Sequence, residues 1–278
     1  MPQTKTRDGN LRQPVVAGRF YPGDAAGLAR ETAGYLALAE APSKRPTLLA
    51  MAPHAGAVYS GPVAGRTLGA ANLAETLLLL GPNHTGQGAR LAVWPSGAWR
   101  IPGHDVPVDD GLAAALLAAA PALVSDRQAH LGEHSLEVLL PFLAQVRPAC
   151  RIVPVAVAEP DLAVLAQTAA AMAGVLAGWG QSVSVVVSSD MSHYVPHDTA
   201  KKLDTLALAR ILALDPSGLY QVVREVGITM CGVLPMVLGL LTALALGATS
   251  ARLAAYATSA EASGDYGQVV GYAGVLVE

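Results

Sequence analysis

The chain predicts an α/β fold: a single domain, residues 1–278, with a mostly parallel central sheet flanked by helices. Three observations carry that prediction. Short apolar runs recur at Leu48–Ala52, Leu77–Leu80 and Val183–Val187, each bounded by proline, glycine or serine, as strands buried on both faces are. Alanine-rich segments with helical spacing separate the runs, which is the βαβ alternation. No repeat period, low-complexity tract or linker divides the chain.

In order, Arg12–Pro22 is an ordered entry segment, and Asp24 is placed to cap a helix reaching about Ala39. Ala41–Pro46 is a loop before the first apolar run. A helix from about Pro62 to Ala71 should cross to the Leu77 run and close a βαβ unit. Leu91–Ile101, with Trp94, Trp99 and Pro95-Ser96-Gly97, reads as a small β-excursion. Asp109 opens an alanine-rich helix that stops at Pro121. Glu133–Val146 has helical periodicity, with Pro141 expected to kink it. A strand at Arg151–Val157, a helix at Asp161–Ala177 and the Val183 strand follow. Helices over 199–213, 216–226 and Gly232–Leu246 precede closing strands at Ala251–Thr258 and Val269–Val277.

Composition narrows the function classes. A formal net charge of −3 offers no basic surface for nucleic acid. Two cysteines, Cys150 and Cys231, form neither a disulfide framework nor a zinc-finger spacing, which fits a reducing cytoplasm. The stretches between Asp161 and Asp190 and between Glu225 and Arg252 carry no charge and are long enough to span a bilayer. The first contains a Gly-Trp-Gly turn. The second is broken by Cys231-Gly232, Pro235, Gly239 and Gly247, and neither has a basic flank. The polar residues 1–8 hold no signal-peptide core. The expectation is a cytoplasmic protein without a membrane span.

The chemistry gathers at strand ends. The Leu48 run delivers His54, the Leu77 run delivers Asn83 and His84, and the Val183 run delivers Asp190 and His193. Open α/β sheets bind ligands at the carboxyl ends of their strands, so three such histidines point to one site. Asp190 reads either as a turn or cap residue or as a carboxylate serving a metal or a histidine. Cys231, before a helix, reads either as a small buried hydrophobe or as a thiolate ligand activated by the helix dipole. Glu133 and His134 open the Glu133–Val146 segment, where a carboxylate is favourable at a helix start and His134 could support a metal site from outside. His104 and His197 lie in polar loops, and Cys150 reads as structural.

The segments RQPVVAGRFYP at 12–22, PHAGAVYSG at 53–61, LGPNHTG at 80–86, EHSLEVLLPFL at 133–143, SSDMSHY at 188–194, CG at 231–232 and DYGQVVGYAG at 265–274 run in order over nearly the whole chain. With them the chain resembles the Memo family, the bacterial and archaeal relatives of a eukaryotic cell-motility mediator. The resemblance implies a fold like that of the class III extradiol dioxygenases. It implies a divalent transition metal, iron first and copper or zinc next, held by His54, His84 and Cys231. It puts His193 and Asp190 beside the metal as catalytic groups, with Asn83, Glu133 and His134 in support. It also implies a functional link to a radical-SAM protein and a small-molecule or peptide ligand. A cysteine where ring-cleaving dioxygenases carry a carboxylate favours softer metals and is itself oxidisable. Three functions therefore compete: an oxygenase-like or redox enzyme, a non-catalytic metal- or peptide-binding module, and a metal-dependent hydrolase.

Overall fold

A computed structural model describes residues 10–278; the expectation about a signal peptide in residues 1–8 lies outside the described residues. The chain begins with β1 (Leu11–Arg12), α1 (Ala25–Leu36), β2 (Leu49–Ala52), α2 (Ala57–Ala70) and β3 (Thr76–Pro82). Short strands β4 (Leu91–Val93), β5 (Ala98–Ile101) and β6 (His104–Pro107) follow, then α3 (Asp110–Ala119), β7 (Val124–Ser125) and α4 (Gln128–Leu131). The middle holds α5 (Leu140–Val146), β8 (Arg151–Val157), α6 (Leu162–Ala177), β9 (Val183–Ser188) and β10 (His193–Val195). The last third comprises α7 (His197–Leu212), α8 (Pro216–Val226), α9 (Val233–Ala245), β11 (Ala251–Thr258), α10 (Ala260–Ser263) and β12 (Val269–Val277).

The main sheet runs β10-β12-β2-β9-β3-β8-β4-β7, and β11 pairs with β12. Its heart, β2-β9-β3-β8, is parallel, while β12 and β4 join it antiparallel, so the sheet is mixed around a parallel core. β2 and β3 are not neighbours, because β9 inserts between them. The expected β-excursion is divided: β4 joins the main sheet, while β5 pairs with β6 and with β1 of the entry segment in a second sheet.

Strand pleating explains the leucine run in β3. Leu78 and Leu80 face a layer that includes Leu165, Met172, Val237 and Leu240 from α6 and α9. Leu77 and Leu79 face the opposite layer, with Leu68 of α2, Phe142 and Leu143 of α5, and Trp99. Adjacent residues of a strand point to opposite faces, so a strand covered on both faces needs an unbroken apolar run. The apolar α9 packs between the sheet and α6 and α8. At Gly239 a Cβ would lie 2.8 Å from Leu49 and Val187, so glycine sets how closely α9 approaches the sheet. Among the described residues no helix is long and apolar enough to cross a membrane.

Two helix boundaries differ from expectation near the site. α2 starts at Ala57, with Pro62 inside it, because Gly56 accepts hydrogen bonds from Tyr59 and Ser60 and Phe20 accepts one from Ala57. No helix opens at Glu133. A short 3-10 turn, Glu137–Leu139, leads into α5, where Pro141 lies in the first turn and needs no kink. Glu133–Ser135 is therefore loop.

The entry segment is moored by a buried ion pair. Arg12 meets Glu137 at 2.7 Å, bonds the carbonyls of His130 and Glu133, and lies 4.1 Å from the Trp99 ring centroid. Glu137 in turn accepts from the amides of Val15 and Val16 and the hydroxyl of Tyr21. His130, fully buried between Trp94 and Trp99, donates from Nε2 to the Ala92 carbonyl. Burial holds its pKa down from 6.5 to about 4.

The sign of the linkage follows. Between those two values the unfolded chain takes a proton that the fold refuses, so stability should fall as pH drops through this window. The slope from this one group is at most about 1.4 kcal/mol per pH unit. Urea midpoints followed from neutral pH into this window should decline less steeply in His130→Gln than in the wild type. The residual slope would come from His54 and His134, which burial also pushes down. Identical slopes in the two proteins would remove His130 from the account.

Candidate metal centre

Three strand ends and one helix start converge at the carboxyl edge of the parallel core. His54 follows β2, His84 follows β3, Asp190 follows β9, and Cys231 precedes α9. The donor atoms of His54, His84 and Cys231 all lie within 4.8 Å of one another. Cys231 Sγ is 3.5 Å from His54 Nε2, and the two imidazole centroids are 5.3 Å apart. Ligand bonds of about 2.0–2.3 Å in a tetrahedral set put donors about 3.3–3.8 Å apart, so this spacing suits a metal ion with modest closure.

Each histidine has one nitrogen tied down. Ser188 donates its hydroxyl to the Ser135 carbonyl at 2.6 Å, so its oxygen accepts from His54 Nδ1 at 2.7 Å. His84 Nδ1 donates to Glu133 at 2.9 Å. Both Nε2 atoms are thereby left as the lone-pair ends, the arrangement by which outer groups orient metal-binding imidazoles. Burial and the neighbouring His84 and His134 push His54 well below the usual range, so it is neutral at physiological pH. The hydrogen bond to Glu133 outweighs burial at His84 and raises its pKa.

Glu133 is the hub of this arrangement. It is 2 % exposed, and beyond His84 Nδ1 it accepts from the amides of His84, His134 and Ser135. Burial alone would favour its neutral form, but the hydrogen bond and charge of His84 and the amide bonds hold it ionised, down to about 2. His134 stacks on His84 with centroids 5.0 Å apart and meets Phe20 edge-on. Asn83 organises the loop instead of touching a histidine: its Oδ1 accepts from Thr85 and Gly86, and its Nδ2 donates to the Gln87 carbonyl.

Asp190 is buried, and its carboxylate accepts from the His54 amide at 2.8 Å. Burial raises its pKa. Its own amide donates to Cys231 Sγ at 3.2 Å. Burial, and then the charge of Asp190, push the Cys231 thiol upward, against the depression expected from the α9 dipole. Cys231-Gly232 lies tight against the end of β9. A Cβ on Gly232 would come within 2.5 Å of Ser189 and the Ser188 carbonyl, so glycine is what lets the cysteine reach the pocket. His193 donates from Nδ1 to the Thr229 carbonyl at 2.8 Å, leaving Nε2 unbonded. Thr229, and not Asp190, therefore orients it. Thr229, Ser188 and Ser135 carry no sequence signal of their own, since they act only through long-range approach. His104 is exposed, and His197 bonds Thr258 away from the cluster.

An α/β protein with two imidazoles and a thiol gathered beyond its parallel strands is a candidate mononuclear metal protein of the two-histidine-one-cysteine type. Comparison with known proteins is consistent with the fold and supplies the family. The family model described as Memo-like protein matches residues 12–276, and the chain belongs to that family. A MEMO1 family protein of Methanopyrus kandleri is 40% identical over 95% of this chain and 98% of its own length. One of Aquifex aeolicus is 38% identical over 96% of this chain and 98% of its own. Among solved structures, an uncharacterized protein of Escherichia coli K12 shares the fold with a TM-score of 0.57 at 13% identity, covering 83% of this chain and 99% of that one.

The tied nitrogens yield a prediction. Ser188→Ala and Glu133→Gln each weaken the hold on one imidazole while leaving every donor atom in place. Each should lower affinity for a divalent transition metal by about 10–100-fold, as loss of outer partners does. Competition titration against a chromophoric chelator reads the change. Wild-type affinity in both variants would show that these partners do not serve a metal.

Proposed function

We propose that the protein holds a divalent transition metal, iron foremost and copper or zinc next, at His54 Nε2, His84 Nε2 and Cys231 Sγ, and serves as an oxygenase-like or redox enzyme acting on a small organic ligand. One observation carries this reading: three donor atoms lie within 4.8 Å while the other nitrogen of each histidine is tied to an acceptor. A bound cation of this kind supplies Lewis acidity and, as iron or copper, a change of oxidation state.

The chain's own groups do the rest. Since burial keeps Cys231 protonated, its use as a thiolate ligand releases a proton. His193, fixed through Nδ1, can take or give a proton at Nε2. Asp190 holds the backbone of His54 and contributes a buried acid beside Cys231. A non-catalytic metal- or peptide-binding module is the second reading. It needs only the three donor atoms and no proton-handling group, since a fold of this kind does not by itself fix a reaction.

Calorimetric metal titration of five variants tests the roles. His54→Ala and His84→Ala should abolish binding, and Cys231→Ser should weaken soft metals most and remove the sulfur-to-metal absorption of a cobalt-loaded sample. His193→Ala should keep metal affinity and, with an active substrate in hand, lose about 10²–10⁴-fold in turnover. Asp190→Asn should give an intermediate loss of affinity through His54. Unchanged affinity in both histidine-to-alanine variants at positions 54 and 84 would sink the metal site.

A further inference from the structure

Beside the candidate centre lies a cleft of about 310 Å³ that the metal site does not use. Tyr59 from the first turn of α2, Tyr194 from β10, Val270 and Tyr272 from β12, and Asp265 and Gln268 from the preceding loop line it. Its place ties it to the centre. Tyr59 is five residues past His54 on the same β2-to-α2 connection, and the Tyr194 ring lies 6.0 Å from that of His193. The charge of Asp190 reaches the Tyr272 phenol, as do Tyr59 and Tyr194.

Two features of the lining have no structural explanation. Tyr272 is only 2 % exposed, and its hydroxyl, which bonds no group among the described residues, opens to solvent at the cleft. Core packing alone would be served by phenylalanine, so the hydroxyl at the wall of the cleft serves what occupies it. Tyr194 has a left-handed backbone, φ 55°, and the residue is 74 % exposed. That conformation is disfavoured for a bulky residue, and here it falls at a break in register between β10 and β12. Bulges of this kind re-aim side chains near functional sites. The fold thus tolerates strain at Tyr194 to stand an aromatic ring over the cleft, next to His193.

The lining also defines the ligand. The exposed rings of Tyr59 and Tyr194 offer apolar surface to a flat body, and the hydroxyls of the three tyrosines, with Gln268, offer hydrogen bonds. Among the described residues no lysine or arginine lines the cleft, and Asp265 is its one charged group. A carboxylate or phosphate would find no cation there, while an ammonium group would find aromatic faces and a carboxylate.

We propose that this tyrosine cleft is a substrate subsite for a small aromatic compound bearing hydroxyl and amine groups, neutral or cationic and not anionic. Its role as a substrate site rests on the metal-centre reading above, whereas ligand binding to it does not. Tyramine and para-hydroxyphenylacetate form a matched pair of phenols of opposite charge, and calorimetry on the whole protein, before and after metal loading, compares them. Tyramine should bind saturably, and the anion about tenfold or more weaker, the size of a desolvated cation–aromatic preference. Tyr194→Gly should weaken tyramine by about 3–10-fold, the worth of one aromatic contact, and Tyr272→Phe should weaken it by a similar factor through loss of one hydrogen bond. Because glycine relieves the left-handed backbone, Tyr194→Gly should melt no lower than the wild type, which separates lost binding from lost folding. His84→Ala should still bind tyramine. Equal binding of the two phenols, no binding of either, or wild-type binding in both tyrosine variants would overturn the proposal. Tyramine binding without metal binding would leave the cleft standing and remove the metal reading, and metal binding without tyramine binding would do the reverse.

Discussion

The arrangement depends on one buried carboxylate. Glu133 sits in a loop, not a helix, and accepts from the His84 ring and from three amides around it. An ionised carboxyl so deep in the protein is tolerated because both of its oxygens are hydrogen-bonded, Oε1 by the His84 ring and two amides and Oε2 by the His84 amide. Satisfying it forces the 133–135 loop against the end of β3, which fixes the His84 ring and brings the Ser135 carbonyl to Ser188. Through that carbonyl the same loop orients His54 on the other strand. Two imidazoles on different strands thus share one anchor. The anchor is itself held from behind, since Arg12 bonds the Glu133 carbonyl while pairing with Glu137. An entry segment more than a hundred residues from Glu133 in sequence is therefore part of what keeps the pocket in shape.

Much of the architecture was legible because burial on both faces leaves an unmistakable mark. Leu77–Leu80 of β3 and Val185–Val187 of β9 are unbroken apolar runs, and α9 is apolar on every face but for Thr242. Helix starts were equally plain: Asp24, read as a cap, and Asp109 and Asp161, read as opening helices, each accept from the first turn of a helix. Proline misled at Pro62 and Pro141, because its meaning depends on whether a helix has already begun. The insertion of β9 between β2 and β3 and the antiparallel flanks were not readable, since strand partners are chosen by contacts hundreds of residues apart in some cases.

In the site, histidines after strands announced themselves by position, and the structure brings His54 and His84 together with Cys231. What position cannot carry is the partner of each ring. Ser188, Ser135 and Thr229 are ordinary residues whose hydroxyls and carbonyls matter only once distant segments meet. The expected pairing of Asp190 with His193 came from nearness in sequence. The folded chain gives Asp190 to the His54 amide and gives His193 to Thr229. The pull of a helix dipole on Cys231 was likewise outweighed by burial, which acts over the whole pocket.

β12 has one more consequence. Its beginning pairs with β10, its end with β2, and nearly its full length with β11. Gly271 within it exchanges backbone hydrogen bonds with Met191 and Ser192, which fixes the segment between Asp190 and His193. This strand lies more than two hundred residues after β2 in the sequence, so their pairing closes a very large loop. Contacts of such long range form late, and they slow folding. As the chain leaves the ribosome, β2, β9 and β3 can already assemble, but one edge of β2 stays uncovered until β12 emerges. Completion of the pocket is thereby coupled to completion of the sheet. A partly made chain would carry His54 and His84 near one another, with the segment from Asp190 to His193 not yet fixed by Gly271 and a sticky strand edge exposed to its neighbours.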